Sequence, residues 1–384
     1  MADTPLKGLK VLELARILAG PWAGQVLADL GATVIKVESP KGDDTRTWGP
    51  PFVEREGDRS AAYFYACNRG KQSIAVDLKT EDGQRFVQEL ADEADVLIEN
   101  FKVGGLRAFG LDYEAVSARN PGIVYASITG FGQDGPYASR AGYDYLLQAM
   151  SGIMSVTGEP DREPQKVGIA VTDLFTGLYA VIGIQAALAE RAQSGKGQHI
   201  DLSLFDAATA MLANQATNYL ASGTAPTRLG NAHPNIVPYQ VFEVSDGALV
   251  IAAGNDGQFQ RLCQVLGCIE IGKDPAYATN GDRVARRADL VPALQQEIIL
   301  WTRDALLAAL EAATVPAAPI NSVEDVLKDE QIAARGMIIE PEGVAALRSP
   351  LRFSRSKLAL DRSAPTLGDA ADAISRNRWG NDGD

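Results

Sequence analysis

The stretch LKVLELARILAGPWAGQVLADLGATVIKV, residues 9–37, contains a strand, a helix and a second strand. Leu9–Leu14 and Thr33–Val37 are short apolar runs of the kind that form strands buried on both faces. Between them a helical segment opens at Ala19 and runs to about Leu30, where Gly31 ends it. This unit predicts two neighbouring parallel strands joined by a helix.

The same alternation continues over the first 200 residues. Strand-like runs follow at residues 73–76, 96–98, 123–127 and 198–203, and a helical pattern covers about 80–93. We therefore expect an α/β fold with a parallel, doubly wound sheet. The loops after these strands are rich in turn residues, and such sheets bind ligands at the carboxyl ends of their strands.

A Gly/Pro-containing linker at residues 221–238 leads to a second α/β region. The patterns predict a helix over 203–220, a hairpin from 240–244 and 248–253, helices near 258–266, 283–297, 302–312 and 323–328, and strands at 317–321 and 351–360. The expected domains are residues 1–220 for the large domain, 221–330 for a smaller α/β domain, and 331–384 for a segment that returns to the large domain.

Composition limits the classes of function. The formal net charge of -13 argues against nucleic-acid or anionic-membrane binding. The cysteines, Cys67, Cys263 and Cys268, form no CxxC pair, which fits a reducing compartment. The N-terminal residues lack the pattern of a signal peptide, and no run of about 18 apolar residues occurs. We therefore expect a cytoplasmic protein.

Histidine is scarce, with only His199 and His233 in the chain. Neither HExxH nor GxSxG is present, so we predict no metal site and no Ser-His-Asp triad. His199 lies in the alternating run 198–203 and is expected to be structural.

Val171-Thr-Asp-Leu-Phe-Thr-Gly-Leu-Tyr179 places one acid, Asp173, in the first turn of a long apolar helix predicted to run to about Gln193. Either Thr172 or Asp173 has the right side chain to cap this helix. A carboxylate there is held ionised by the helix dipole and by free backbone N–H groups. The local pattern leaves two roles open for Asp173, a simple cap or a reactive group.

A dinucleotide-binding interpretation is also conceivable, because Glu38 ends the second strand, where such folds carry the acid that holds the ribose. However, the first strand-to-helix turn is ARILAGP, residues 15–21, instead of GxGxxG. NAD or FAD use is therefore disfavoured. Arg16 instead provides a cation at the strand end, suited to phosphate.

Several segments together resemble the class III (formyl-CoA transferase-like) CoA-transferases, a family that also includes acyl-CoA racemases. The segments are GLKVLELAR at 8–16 with AGP at 19–21, GATVIKVE at 31–38, GDDTR at 42–46, NRGKQS at 68–73, ENF at 99–101, SITGFG at 127–132, Asp173 in its helix, and GQHID at 197–201. Two more, DDTRTWGPP at 43–51 and GNAHPNIVPY at 230–239, are similar to the succinyl-CoA:dicarboxylate (glutarate) branch.

The resemblance implies a Rossmann-like large domain with an inserted smaller α/β domain, and two chains interlocked as a homodimer. It also implies an enzyme that moves CoA from an acyl-CoA, here succinyl-CoA, to a carboxylic acid such as a dicarboxylate or an analogue. Asp173 would form first a mixed anhydride and then an aspartyl-CoA thioester. No tightly bound cofactor is implied, since the CoA thioester is a substrate.

The resemblance assigns Arg16, Lys71 and Asn100 to CoA binding, with Ala19 and Arg69 nearby. Where the family often has an arginine, this chain has Ala108, and the adjacent Arg107 is expected to replace it. For each of these cations the alternative is ordinary solvated surface charge.

A dicarboxylic acid leaves one free carboxylate in the pocket, for which arginine is the preferred partner. Arg46 is the first candidate and Arg140 the second, although either could be a structural ion pair. Trp48 and Tyr143 are expected to line the acyl pocket or to belong to the core. Residues 230–239, which include His233, are expected to be an active-site lid or an inert linker.

Two alternatives to CoA transfer remain. Racemases of the family carry Gly-His-Asp where this chain has Gly142-Tyr-Asp144. A tyrosine phenol, which ionises only near pH 10, is a poor base for the α-carbon, so racemisation is disfavoured. The other alternative is a catalytically silent CoA-binding subunit, against which the intact Asp173 motif argues.

Overall fold

The computed structural model describes residues 3–379 and has the mixed α/β architecture expected from the sequence. Its strands are β1 (Lys10–Glu13), β2 (Thr33–Glu38), β3 (Phe52–Arg55), β4 (Asp58–Ala61), β5 (Gln72–Ala75), β6 (Val96–Glu99), β7 (Val124–Thr129), β8 (Gln198–Ser203), β9 (Tyr239–Val244), β10 (Gly247–Ala252), β11 (Ala317–Pro319), β12 (Ile338–Ile339) and β13 (Ala346–Leu347). Its α-helices are α1 (Ala19–Asp29), α2 (Ala62–Cys67), α3 (Glu81–Glu93), α4 (Tyr113–Arg119), α5 (Asp144–Met150), α6 (Ile153–Val156), α7 (Val171–Ser194), α8 (Leu204–Ala210), α9 (Ala213–Ser222), α10 (Asp256–Leu266), α11 (Ile269–Lys273), α12 (Asn280–Ala285), α13 (Arg287–Ile298), α14 (Arg303–Ala312), α15 (Val323–Lys328), α16 (Glu330–Ala334) and α17 (Ala371–Asn377). Short 3₁₀ helices lie at Asp44–Thr47, Arg107–Phe109, Pro275–Tyr277 and Pro341–Gly343.

Six strands form one parallel sheet in the order β5-β2-β1-β6-β7-β8. Numbered along the chain within this sheet, the order is 3-2-1-4-5-6, which is that of the Rossmann fold. The order reverses between β1 and β6, and the crevice at their carboxyl ends is where such sheets bind ligands. The six strands predicted from the sequence are confirmed to within two residues at each end.

Helices cover both faces of this sheet, because successive side chains of a strand point to opposite sides. On one face, Val11 of β1 packs in the same apolar cluster as Ala23 of α1 and Ile184 of α7. On the other face, Leu12 packs with Leu90 of α3. The predicted doubly wound arrangement is therefore confirmed.

The close approach of α7 to the start of α1 depends on Gly177. A Cβ at this position would lie 2.6 Å from the carbonyl oxygen of Ala19, a distance that no real side chain tolerates. Gly177 is one helical turn beyond Asp173, so this packing holds the first turn of α7 beside the β1–α1 connection.

The chain divides into two compact units. The first unit runs through Ile153 and comprises also Val167–Ala221 and the chain from Glu330 onward, while the second comprises Met154–Lys166 and Ser222–Asp329. Residues 154–166, which the sequence placed in the large domain, therefore belong to the second unit. The reason is local bonding, since the carbonyl oxygen of Gly158 accepts from Gly230 N at 3.1 Å.

The second unit is built on an antiparallel sheet in which β10 lies between β9 and β11. The predicted hairpin is confirmed, with its turn at Ser245 and Asp246 between β9 and β10. Helices α10, α13 and α14 pack on this sheet, and their shared core includes Phe242, Leu262 and Leu294.

Three predicted elements differ from the structure. The helix over 203–220 is broken into α8 and α9, and Ala213 at the start of α9 has a φ of 42°. The helix over 283–297 is likewise two helices, α12 and α13, which meet at Arg286. Residues 351–360 form no strand in the structure; the chain bends at 354–355, and Ala359 N donates to Asp29 O at 2.9 Å. An extended segment becomes a strand only when a second edge pairs with it.

Among residues 3–379, α7 alone is long and apolar enough to cross a bilayer by length and composition. Ala180, Ile184 and Ala187 of this helix are buried against the sheet. A core helix meets the same criteria, and one side of α7 is packed in this way.

Candidate active site

A cavity of about 430 Å³ opens at the carboxyl ends of β1 and β6, where the strand order reverses. The β1–α1 connection forms one wall, and the segment after β6 forms another. The end of β7, residues 138–143 and Asp173 complete it. This is the position at which doubly wound sheets bind ligands.

The β1–α1 connection is held in one strained conformation. Ile17 has a φ of 72°, in the left-handed region that β-branched residues avoid. Its N–H donates to Oδ2 of Asp43 at 3.2 Å. Arg16 N donates to Oδ1 of Asn100 at 2.9 Å, and Nδ2 of Asn100 donates to the carbonyl oxygen of Arg16 at 2.7 Å. The loops after β1 and β6, at the switch point where the strand order reverses, are therefore hydrogen-bonded to each other. Such contacts hold a strained backbone in place, as is common at functional sites.

A fully buried cluster of charged side chains, Glu13, Lys36 and Asp43, packs against this connection. Nζ of Lys36 lies 3.1 Å from Oε1 of Glu13 and 3.0 Å from Oδ2 of Asp43, and it donates to the carbonyl oxygen of Ala15 at 2.8 Å. Burial by itself lowers the pKa of Lys36, but the Glu13 and Asp43 carboxylates outweigh it and the pKa is raised. Lys36 is therefore charged and holds both acids in place.

Asp173 lies in the first turn of α7 and is half-buried. Within residues 3–379 its carboxylate has no hydrogen-bond or ion-pair partner. Burial raises the pKa of Asp173 to about 7, and the negative charge of Asp144 adds to this effect. The carboxylate is thus poorly solvated and lines the cavity.

The capping prediction for α7 was wrong. The residue before the helix is Ala170, which has no side-chain cap. Asp144 from the start of α5 takes this role, because its Oδ1 accepts from Thr172 N at 2.8 Å and from Asp173 N at 3.4 Å. Neither Thr172 nor Asp173 is needed as a cap, so the Asp173 side chain is available for another role.

The cavity brings together five of the residues assigned to the site besides Asp173. They are Arg16, Ala19, Asn100, Arg140 and Tyr143. The Arg16 guanidinium is half-exposed and pairs with Oδ2 of Asp44 at 3.1 Å. Arg140 is exposed, with its guanidinium 4.5 Å from the ring centre of Tyr137. Both cations can therefore reach an anion in the cavity.

Lys71 does not reach the cavity. Its side chain is fully buried, and Nζ donates to Oε1 of Glu13 at 2.9 Å, to Pro21 O at 2.8 Å and to Oδ1 of Asn68 at 2.8 Å. An ammonium group has three protons, so these three partners leave Lys71 no donor for a phosphate. In this structure Lys71 joins the buried cluster around Glu13 instead of the predicted CoA site.

Arg69 is also committed to the protein interior. Its guanidinium contacts Asp29 in a bidentate pair at 3.1 and 2.6 Å and donates to the carbonyl oxygen of Leu347 at 2.6 Å. The side chain is almost fully buried, so Arg69 ties α1 to β13 and is not placed to contact CoA.

Arg46 is buried in the same way and is not placed as a carboxylate clamp. Its guanidinium makes a bidentate pair with Glu38 at 2.8 and 2.7 Å, donates to Oγ of Ser60 at 3.1 Å, and lies 3.7 Å from the ring centre of Phe64. With the bond from Nη2 to Pro365 O at 3.2 Å and the pair with Asp58 at 3.6 Å, these contacts use the whole guanidinium. The structural ion pair, the alternative left open for Arg46, is what the structure shows.

The remaining predicted residues lie outside this cavity. Arg107 lines a neighbouring cavity of about 380 Å³ and pairs with Asp112 at 3.6 Å. Trp48 is half-exposed and packs edge-on against Tyr63, with ring centres 5.4 Å apart. His233 belongs to the second unit, where its Nδ1 accepts from Asn235 N at 3.1 Å.

Sequence reasoning missed Lys102, Tyr63 and Asp144. Lys102 lines both cavities, and its place just after the Glu99-Asn-Phe101 motif was a usable signal. Burial and the charge of Asp173 together raise the pKa of Tyr63 to about 12, so its phenol stays protonated. The role of Asp144 had no local signal, because it caps a helix that begins 27 residues later in the chain.

His199 contacts neighbouring side chains and also lines the second cavity. Its Nε2 lies 2.8 Å from Oγ of Ser127, and its ring stacks on Tyr113 at 4.9 Å. Within residues 3–379 no group of three or more His, Cys, Asp or Glu side chains is arranged to hold a metal ion.

Comparisons with known proteins agree on one family. The family model for CoA-transferase family III matches residues 6–371. The succinate–glutarate CoA-transferase of Agrobacterium fabrum is 54% identical over 373 residues, which cover 95% of this chain and 93% of that protein. The succinyl-CoA:glutarate CoA-transferase of Homo sapiens is 43% identical over 370 residues, 95% of this chain and 84% of that protein. The crystal structure of a CAIB/BAIF family protein from Brucella suis superposes with a TM-score of 0.89 at 61% identity, covering 98% of this chain and 100% of that one.

Proposed function

Because the chain belongs to CoA-transferase family III, we propose that it moves CoA from succinyl-CoA to a dicarboxylic acid such as glutarate, with Asp173 as the covalent nucleophile. The observation that carries this proposal is the placement of Asp173. It is an unpaired, half-buried carboxylate in a cavity that also contains the cations Arg16, Lys102 and Arg140. A poorly solvated carboxylate is a better nucleophile than a hydrated one.

The proposed reaction neither gains nor loses a proton. An oxygen of Asp173 bonds to the thioester carbon of succinyl-CoA, and the C–S bond breaks to release CoA thiolate. The thiolate then attacks the carboxyl carbon of Asp173 in this mixed anhydride, which releases succinate and leaves an aspartyl-CoA thioester. The acceptor carboxylate attacks the carboxyl carbon of Asp173 in this thioester and displaces CoA thiolate, which gives a second mixed anhydride. The thiolate then attacks the acyl carbon of the acceptor, which forms the new CoA thioester and frees Asp173.

The charge distribution of the cavity suits these steps. Negative charge moves from Asp173 to the thiolate and back, so nearby cations stabilise each anionic intermediate. Arg16, Ala19 and Asn100 are proposed to contact CoA, because they line the cavity at the switch point where the phosphates of such folds bind. Lys102 is added to this set, and Arg107 in the adjoining cavity is a further phosphate partner.

The acceptor acid is proposed to place its second carboxylate on Arg140. This guanidinium is exposed in the cavity that holds Asp173, whereas that of Arg46 is enclosed by Glu38, Ser60 and Phe64. Tyr143 is proposed to line the acyl pocket. The lid role of residues 230–239, with His233, remains a prediction, as do a cytoplasmic location and the lack of nucleic-acid or membrane partners.

The proposal is tested by acid exchange. Purified protein is incubated with succinyl-CoA and, separately, glutarate, mesaconate, citramalate, oxalate or acetate, and the CoA esters are identified by mass spectrometry. We expect glutaryl-CoA and an equal amount of succinate, with acetyl-CoA formed at least about tenfold more slowly because acetate lacks the second carboxylate.

Two alternative functions are tested by a second assay alongside acid exchange. Deuterium entering the α-carbon of a 2-methylacyl-CoA from D₂O, with no acid exchange, would indicate a racemase. CoA binding with neither reaction would indicate a silent subunit.

We also propose that a second copy of this chain covers part of the first unit. Phe175, Leu178, Tyr179 and Ile182 form an apolar stripe on α7 and are between 42% and 61% exposed. A contiguous apolar face of this kind is unusual on a monomer. Light scattering coupled to size-exclusion chromatography is expected to give twice the chain mass of 40.8 kDa. A monomer mass at micromolar concentration would contradict it.

A further inference from the structure

Asp144 links two helices at the nucleophile. It is the first residue of α5, and its Oδ1 accepts the N–H groups of Thr172 and Asp173 at 2.8 and 3.4 Å. Its other oxygen accepts from Nε2 of Gln148 at 2.7 Å. Gln148 is fully buried and its Oε1 accepts from Val167 N at 2.9 Å, so the Asp144 carboxylate has a fixed orientation.

This arrangement changes the electrostatic environment of Asp173. A carboxylate in the first turn of a helix is normally stabilised by the free N–H groups and the positive end of the helix dipole. Here Asp144 occupies N–H groups of that turn and places a second negative charge beside Asp173. Like charges in one partly buried site repel, which disfavours the ionised form of Asp173.

Other charged and titratable groups face Asp173 from the surrounding elements. Arg16 lies on the β1–α1 connection, Lys102 follows β6, and Arg140 and Tyr143 precede α5. Tyr63 on α2 has a raised pKa, to which burial contributes most and the charge of Asp173 next. Burial first, and the charge of Asp144 next, account for the raised pKa of Asp173 itself.

We propose that Asp144 is a positioning residue that makes Asp173 a stronger nucleophile, by taking up its helix N–H groups and by a charge repulsion that disappears when Asp173 is acylated. In the mixed anhydride Asp173 is neutral and the negative charge is on the CoA thiolate; in the aspartyl-CoA thioester Asp173 is again neutral and the charge is on the released succinate. The repulsion between Asp144 and Asp173 therefore raises the energy of the free carboxylate but not that of the acylated enzyme. This inference rests on the proposed covalent role of Asp173.

The test compares Asp144→Asn with Asp144→Ala. Asparagine keeps an acceptor oxygen for the N–H groups of Thr172 and Asp173 but removes the charge, whereas alanine removes both. Because the amide nitrogen of Asn faces Nε2 of Gln148, thermal unfolding is recorded for both variants, and each is assayed well below its midpoint. Asp82→Asn is the matched control, since Asp82 is an exposed first-turn acid of α3 that lies outside the cavity.

Two readouts are measured as a function of pH. The first is labelling of Asp173 by a water-soluble carbodiimide without substrate, because this reagent activates protonated carboxyl groups. The second is kcat for CoA transfer. In both Asp144 variants the labelling midpoint is expected to fall by about one pH unit, and kcat at pH 8 by about tenfold, with KM for succinyl-CoA within about twofold of the wild-type value. Asp82→Asn is expected to match the wild type.

The outcomes separate this inference from the proposed function. An unchanged labelling midpoint in both Asp144 variants overturns it, even if kcat falls, because the role of Asp144 would then be structural. A lowered midpoint together with a lower kcat supports it. A lowered midpoint in a protein whose wild type transfers no CoA would show that Asp144 acts on Asp173 while overturning the proposed function.

Discussion

Replacing Asp173 by Asn is expected to lower kcat for CoA transfer by at least about 10³-fold, the scale of losses when a covalent nucleophile is removed. An amide has nearly the size of the carboxylate but does not attack a thioester. The fold should be unaffected, because Asp144 and not Asp173 accepts the N–H groups at the start of α7. The measurement is the rate of glutaryl-CoA formation under saturating substrates, with thermal unfolding as the check on folding.

A trapping experiment tests the same residue chemically. Hydroxylamine converts an activated aspartyl group into a stable hydroxamate, so wild-type protein with succinyl-CoA and hydroxylamine is expected to gain this modification on the peptide that contains Asp173. Asp173→Asn should gain none. Undiminished transfer by Asp173→Asn, or a hydroxamate at another acid such as Asp144, would show that Asp173 is not the nucleophile.

Arg46→Ala is expected to lower the free energy of unfolding by about 3–5 kcal/mol, which is the usual cost of breaking a buried ion pair. The substitution leaves Glu38 buried, with two oxygens that had been paired to Arg46 at 2.8 and 2.7 Å. It also removes the guanidinium from the face of Phe64. Because the pKa of Glu38 is lowered in the fold despite the opposing effect of burial, its stabilising contribution is present above its ordinary pKa and is lost as the pH falls. Chemical denaturation at pH 7.5 measures the loss.

Arg140→Ala is the matched control for this prediction. Arg140 is exposed and stacks on Tyr137, so its removal should change the free energy of unfolding by no more than about 0.5 kcal/mol. It is expected instead to raise KM for glutarate about tenfold while leaving KM for succinyl-CoA less affected. If Arg46→Ala instead left the free energy of unfolding unchanged and raised KM for glutarate, Arg46 would be the residue that binds the second carboxylate.

Local patterns in the chain predicted most of the elements. The four central strands of the parallel sheet are short, mostly apolar runs bounded by turn residues, and nearly all of their residues are buried. The same patterns predicted single helices over 203–220 and 283–297, where the structure has two helices each, and a strand over 351–360, where it has none. Periodicity records which residues are apolar, but it does not record where a helix bends or whether an extended segment finds a partner strand.

Site prediction succeeded at strand ends and failed for side chains whose partners are distant in sequence. Arg16 and Asn100 follow β1 and β6 directly, so the parallel sheet brings them to the switch point. Lys71 and Arg46 lie in equally motif-rich loops, but their charged groups turn inward to Glu13 and Glu38. No local pattern distinguishes an inward-facing cation from one that faces a ligand.

The sequence by itself determined the α/β class, the parallel sheet, the position of Asp173 at the start of α7 and the family to which the chain belongs. These properties depend on residue periodicity, turn chemistry and motifs, which are local. Only the tertiary structure decided which cations face the cavity and which are buried, and that Asp144 caps α7 and leaves Asp173 unpaired. The physical reason is that burial and charge pairing arise between segments far apart in the chain, where the free energy of an ion depends on its surroundings and not on its neighbours in sequence.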